Sequence, residues 1–580
     1  MKIWCPPCLA SRQPIVSLCL YVAVAVWSTG PVVRDPCRLL PLGGASAATV
    51  PLFNVWTIWW NADRAAVGFR DYWQAPIFHP TRNALAFSEP QPATLIVAPL
   101  IWCLGERILA YNLYLWGALV LNGVFAELLL RRLGVHRWVA IGGGVATVLL
   151  PIVHWQLEVL QLAHLWPCLG CWLALWQCAR QPSVPWGGLC GLFCGLMFWT
   201  CAHQAVLQTV LLVPLLALLP WRWRSVRLWQ AAFVGAVVAG GLILPLALPL
   251  RAAVQEQGFE RSAEFVEQLS ATLGDYTAAL GRGPTVGGPR TDRPYWKLSP
   301  GWLKYGFAGM GGWWGIGRLR WRRWTMFLTG MGLLAVVFSL GAHLKIGGWE
   351  PWWTLATHWP GLGQVRNVFR FAFFLQLAVV LLAAQGVHAG MILCRTGGMQ
   401  GGRRRLAFSL LALVGLAVVG ETLPASIQVA SGPALNEALP WLDFVRSHVE
   451  PGKAVACLPF ATGDGGADYE ITARWMYWGT FHGVPLVDGY SGFFPESHFR
   501  LRQALSQGRL SGPGLKLLEA AGVELVVIDR GKFQGPRDEE SQIGGISVRR
   551  VLQNDAGVDV YRIFREPVPA GVKTMRIREN

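Results

Sequence analysis

A mainly α-helical polytopic membrane protein with an α/β domain at its C-terminal end is the fold class this sequence predicts, and three observations predict it. Of its 580 residues, 53% are hydrophobic and only 14% charged, with a mean hydropathy of +0.38. That lies outside the composition of ordinary soluble domains. Before residue 425 the apolar residues gather into about eleven segments, several interrupted by Pro or Gly, approaching the roughly 20 residues a span requires. After it, β-branched runs bounded by turn residues take over.

The formal charge of +17, from 50 Lys+Arg against 33 Asp+Glu, is a membrane signature in so apolar a chain. Basic residues anchor spans on the cytoplasmic side, so membrane lipids are expected partners and nucleic acid is not. The 31 Trp and 37 Pro agree, since indoles settle at bilayer interfaces and spanning helices tolerate proline. Most of the 13 Cys lie in apolar stretches, where a thiol behaves as a small buried hydrophobe, which argues against a disulfide scaffold.

The first span covers about residues 14–33, after a short basic start containing Lys2 and Arg12, and reads as an uncleaved anchor. Strict alternation then places Arg131, Arg132 and Arg137, Arg180, the cluster Arg222, Arg224 and Arg227, the cluster from Arg318 to Arg323, and Arg395 with Arg403 to Arg405 on one face. Such one-sidedness is the positive-inside pattern. It predicts a cytoplasmic N-terminus, with outer segments at about 34–91, 251–299 and 343–369 and everything after Pro424 outside. Two domains follow, residues 1–424 in the membrane and 425–580 beyond it.

The first outer segment is rich in Trp, Phe, Pro and Tyr, so it is expected to be ordered. PLFNVWTIWWNADRAAVGF reads as an amphipathic helix with Trp56, Trp59 and Trp60 in the interface, and the stretch to Pro92 as a folded loop punctuated by proline. In the C-terminal part, runs from Ala454, Val523, Ile546 and Val558 read as strands. Helical patterns cover 468–481, 496–507 and 514–521.

Ionisable groups on the outer face carry the candidate chemistry, because charge near a bilayer is costly unless solvated, paired or used. Asp63, Asp71, His79 and Glu89 stand in the first outer segment, where an ionised carboxylate can act as general base on a hydroxyl. The ordinary alternative is pairing of Asp63 and Asp71 with Arg64 and Arg70. Arg366 and Arg370, four residues apart, share a face if their stretch is already helical. Two guanidiniums so placed suit a phosphate, or a lipid headgroup reached by snorkelling. Cys5/Cys8 and Cys168/Cys171 form C-x-x-C pairs with no second pair at zinc spacing. His154, Glu158 and His164 match no metalloprotease helix and read as satisfied bundle residues. The glycines of IGGGVATVLL and GFAGMGGWWGIG lack phosphate-loop spacing and read as helix-packing positions.

In order along the chain, PLFN-W---W at Pro51 to Trp60, FHP--N-LAFSE at Phe78 to Glu89, APLIWCLGERILAYNL from Ala98, VLQLAHLWP from Val159, R-x-x-x-R-F at Arg366 to Phe371, and HGVPLVDGYSGFFP at His482 to Pro495 resemble the GT-C glycosyltransferases and the related YfhO-type membrane proteins of bacteria. The resemblance covers most of the chain. It implies a bacterial inner-membrane glycosyltransferase that takes sugar from a polyprenyl-phosphate donor to a glycan, lipid or protein acceptor on the extracytoplasmic face. It further implies Arg366 and Arg370 on the donor phosphate, Glu89 with Asp63 as second choice at the acceptor hydroxyl, and His79, Trp59 and Trp73 lining the groove. One departure stands out. Relatives typically carry an aspartate just after the first span, engaging acceptor, donor or metal; here Val50 precedes PLFN, and a valine can neither take a proton nor bind a cation. The sequence offers no clear ligand set for a divalent metal. Two alternatives stay open: a non-catalytic envelope scaffold, which Val50 makes attractive, and a flippase for lipid-linked sugars, since about eleven spans could also build a path through the bilayer.

Overall fold

The structure is a computed structural model describing residues 13–277, 297–396, 401–423, 427–555, 557–564 and 574–577. The basic start, Cys5 and Cys8, and 278–296 of the second outer segment lie outside the described residues. The chain divides into two compact units. The first comprises Met1–Arg34, Leu113–Pro245 and Glu260–Gln428; the second comprises Asp35–Asn112, Leu246–Phe259 and Val429–Asn580.

Helix dominates because long apolar segments satisfy their backbone internally, as a bilayer demands. Among the described residues four helices are long and apolar enough to span: Arg107–Leu133, Arg137–Trp155, Val226–Gln257 and Val368–Arg395. Shorter apolar helices include Pro14–Ser28, Pro92–Leu104, Val184–Thr200, Ala202–Leu218 and Arg405–Gly420. Among the described residues these two sets are fewer than the eleven segments expected. Val226–Gln257 leaves Phe233, Val237, Leu244 and Leu248 more than half exposed, an apolar surface suited to lipid.

Small residues set the closest approaches within the first unit. A Cβ on Gly311 would run into the Leu382 carbonyl and one on Gly386 into that of Phe307, so Trp302–Ile316 and Ala372–Thr396 touch backbone to backbone. The packing role expected for the GFAGMGGWWGIG glycines is met at Gly311 and Gly315, while Gly306, Gly309 and Gly312 face open space.

In the second unit a six-stranded sheet forms the C-terminal core. Ala454–Leu458 runs parallel to Val523–Asp529; Val558–Phe564, Ile546–Asn554 and Glu540–Ile543 continue the sheet antiparallel. Met575–Ile577 pairs parallel with Ile546–Asn554. All four expected strands are present, and the expected helices occur as Glu470–His482, Glu496–Ala504 and Gly512–Ala520. The last of these lays Leu515 and Leu518, both fully buried, on Val526, Ile528 and Tyr561. Leu515→Ala is expected to cost about 2–5 kcal/mol, read as an earlier thermal unfolding transition of this domain.

Thr49–Ala66 is helical as expected, but Trp56, Trp59 and Trp60 are 2%, 8% and 5% exposed. Instead of lying on a membrane surface, the helix packs against Glu470–His482. The Ala48 amide donates to Glu470 at 3.3 Å and the Thr49 hydroxyl to the Gly466 carbonyl at 2.6 Å. The partner helix, over 400 residues away in sequence, converts an amphipathic pattern into a buried one.

Candidate functional site

The first unit gathers three arginines. Arg366 and Arg370 do not share an α-helical face: Arg366 precedes the 3-10 turn Val368–Phe371, and the long helix begins only at Ala372. The turn nevertheless brings both guanidiniums, with Arg261, within electrostatic reach of the His203 ring, which bonds the Asn367 main chain. Arg261 donates Nε–H to the Gln364 carbonyl at 3.3 Å, and the Arg366 guanidinium lies 5.5 Å from the Phe265 ring centroid. Burial, reinforced by repulsion from Arg366, pulls the Arg261 pKa down to about 9. Three like charges held together in a half-buried setting form a cradle for an anion.

One carboxylate stands near them. Arg370 Nε–H donates to Gln156 Oε1 at 3.3 Å, and Gln156 Nε2 donates to Glu158 Oε1 at 3.4 Å. Oε2 of Glu158 is buried and accepts no hydrogen bond among the described residues. Burial pushes the Glu158 pKa up to about 8; its main-chain hydrogen bond and the Arg370 charge pull the other way without prevailing. The segment is fixed from behind, where Gln376 accepts from the Ile152 amide at 3.2 Å and donates to the Lys297 and Leu298 carbonyls. Further along, Asn122 donates to the Ala163 carbonyl and accepts from the Leu165 amide.

Glu158 was legible only as a bundle residue, and the structure corrects that. A buried, half-satisfied acid joined to an arginine through one glutamine is a candidate functional group. Its signal in the sequence was an acid between two apolar segments. His154 and His164 each have one ring nitrogen without a hydrogen bond; His164 accepts from Trp166 and lies 4.2 Å from the Tyr114 ring.

The second unit holds the other expected site residues. Asp63 is engaged by Arg64, whose Nε donates at 2.9 Å, the pairing anticipated as its ordinary role. Glu89 is half-buried between the 3-10 turns Ala84–Phe87 and Pro92–Val97. A polar core fixes the chain just beyond it: Asn61 Nδ2 donates to the Pro90 and Gln91 carbonyls at 2.8 and 3.0 Å, and Gln91 Nε2 to Asn54 at 2.9 Å. The His79 amide donates to the Leu486 carbonyl at 2.9 Å, and burial lowers the pKa of its ring. Trp73 is half-buried, edge-on to Tyr72 at 5.3 Å, while Trp59 packs on Trp60 at 5.9 Å. Val50 is half-buried one residue into its helix.

The DGYSGFFP aromatics serve packing within this unit. Tyr490 meets Phe53 at 5.6 Å, Phe493 stacks on Phe259 at 4.7 Å and Phe494 meets Phe78 at 5.9 Å. Asp488 of the same motif is buried, accepting from Thr472 at 3.0 Å and lying 2.7 Å from His498 Nδ1.

Among the described residues no group of three carboxylate or imidazole ligands converges as a metal site would require.

No family model and no curated protein matches the chain. Solved structures do. The arabinofuranosyltransferase AftD from mycobacteria aligns over 95% of this chain at a TM-score of 0.55 and 15% identity. The oligosaccharyltransferase of Archaeoglobus fulgidus covers 90% of this chain at 0.47 and 11%. ArnT from Cupriavidus metallidurans, solved bound to undecaprenyl phosphate, covers 95% at 0.45 and 11%. The fold is thus of the GT-C glycosyltransferase type, borne out by AftD. The chain accounts for 41% of the length of AftD.

Proposed function

We propose that the chain is a membrane glycosyltransferase that moves a sugar from a polyprenyl-phosphate donor to an envelope acceptor on the extracytoplasmic face of the bacterial inner membrane. The observation that carries this reading is that Arg261, Arg366 and Arg370 all act electrostatically on His203 in a chain of GT-C fold. A lipid phosphate is the anion such a membrane cradle suits. The acceptor hydroxyl oxygen attacks the anomeric carbon, its proton passes to a general base, a role proposed for Glu89 from the sequence alone, and the bond from that carbon to the phosphate oxygen breaks with inversion. The electron pair stays on the departing lipid phosphate, where the guanidiniums stabilise the charge that develops. Asp63, held by Arg64, is the weaker candidate base. His79, Trp59 and Trp73 are proposed to border the sugar path.

The test is transfer by the purified full chain in lipid nanodiscs, using radiolabelled polyprenyl-phosphate sugars and an envelope extract as acceptor. Label recovered in acceptor, dependent on the protein, supports the reading. Label that only crosses the bilayer of proteoliposomes supports a flippase instead, and label that does neither leaves the scaffold reading, which Val50 favours.

The buried acid sets a pH dependence. With its folded pKa raised to about 8, Glu158 is mainly protonated at neutral pH, leaving the arginine charge undiminished. As pH rises through 8 the carboxylate ionises beside Arg370 and opposes a bound phosphate. The KM for donor is expected to rise roughly tenfold between pH 7 and 9, about 1.4 kcal/mol of repulsion at an effective dielectric near 20. Glu158→Gln is expected to flatten that profile in steady-state kinetics.

A further inference from the structure

The C-x-x-C pair at Cys168 and Cys171 lacks a second ligand pair in the sequence at zinc spacing, yet the structure supplies partners from the next helix. Cys171 lies on Trp166–Arg180, and Cys190 and Cys194, one turn apart, lie on Val184–Thr200. The three sulfurs all fall within 4.8 Å of one another, and Cys171 and Cys194 approach to 3.6 Å. Cys171 is fully buried and the other two half-buried. The groups acting electrostatically on these sulfurs are other cysteines.

We propose that Cys171, Cys190 and Cys194 form a three-sulfur binding site for a soft, thiophilic ion, and that trivalent arsenic of the arsenite class is the ion it fits best. Three sulfurs bonded at about 2.3 Å to one pyramidal As(III), whose lone pair holds the S–As–S angles at about 100°, stand about 3.5 Å apart, close to the 3.6 Å between Cys171 and Cys194 and inside the 4.8 Å that bounds all three. Thiolate sulfur selects soft ions. Zinc in a structural site takes four ligands, and the convergent set comprises three.

Charge then ranks the soft ions, because an uncompensated charge in an apolar bundle is costly. Arsenite, As(OH)3, is neutral. It exchanges three hydroxyls for three sulfurs, each thiol proton leaving with one hydroxyl as water. The product is neutral, no electron changes hands, and the two helices become tied together. A divalent ion on three thiolates would leave a net negative charge.

The test uses the reduced full chain in detergent, in a Cys5→Ser/Cys8→Ser background that removes the other C-x-x-C pair, with arsenite as the probe and native mass spectrometry as the readout. The expected adduct is one arsenic in place of three hydrogens, retained by Cys168→Ala and lost by Cys190→Ala and Cys190→Ser. Two serine or alanine forms guard against misfolding, and a monodisperse size-exclusion peak is required of each. An adduct of the same mass in both Cys190 variants overturns the site, as does no adduct in the parent. One equivalent of zinc retained as firmly as arsenic, or a Cys171–Cys194 disulfide in protein purified without oxidant, overturns it too.

Discussion

Arg370→Ala is expected to reduce sugar transfer by about 10²–10³-fold, the scale of losing one preorganised group that faces developing charge. The Arg370 guanidinium is tied through Gln156 to Glu158 and shares the surroundings of His203 with Arg366 and Arg261. In the proposed reaction its removal takes a cation from the place where the phosphate becomes a dianion-like leaving group. The loss should fall on kcat more than on KM, because charge on the phosphate increases as the bond breaks. Arg366→Ala is expected to act alike. Arg→Lys should recover only part, since an ammonium cannot form the two-pronged contact of a guanidinium. Initial rates with a labelled donor at fixed protein level measure each variant.

Glu89→Gln is expected to lower kcat by about 10²–10⁴-fold, the range of a lost general base. Glutamine keeps the shape, and the Asn61 contacts that hold Pro90 and Gln91 remain, so expression and thermal stability should stay close to the parent. Asp63→Asn, with its acid already engaged by Arg64, should cost far less. If Asp63→Asn is the damaging change and Glu89→Gln the mild one, the base is Asp63.

The parts of this protein that local pattern controls were readable from its residues. β-branched runs at 454, 523, 546 and 558 became strands where expected, because alternation and bounding turns are local. Two short strands, the polar Glu540–Ile543 and the three-residue Met575–Ile577, leave no local pattern to be seen and exist by pairing with Ile546–Asn554. The Trp-rich helix was found, but its burial depends on Glu470–His482, a partner no local pattern reveals. At the site, the Arg366/Arg370 spacing drew attention for a reason the backbone does not honour, since a 3-10 turn intervenes. Arg261 joins them from a distant segment, and Glu158 gains its character from burial, a property of the folded bundle and not of its neighbours in sequence. The cysteine set escaped for the same reason: its ligands come from two helices, and spacing within one helix shows only half of them.

The Arg261, Arg366 and Arg370 cradle is proposed to hold a lipid phosphate, and direct binding tests this apart from any acceptor. Undecaprenyl phosphate titrated into the purified chain in nanodiscs, followed by native mass spectrometry, should give one saturable lipid per protein. Arg366→Ala/Arg370→Ala should weaken it by at least tenfold, while the uncharged alcohol undecaprenol binds no better than background. Equal binding of the phosphate and the alcohol, or full phosphate affinity in the double variant, would contradict the account.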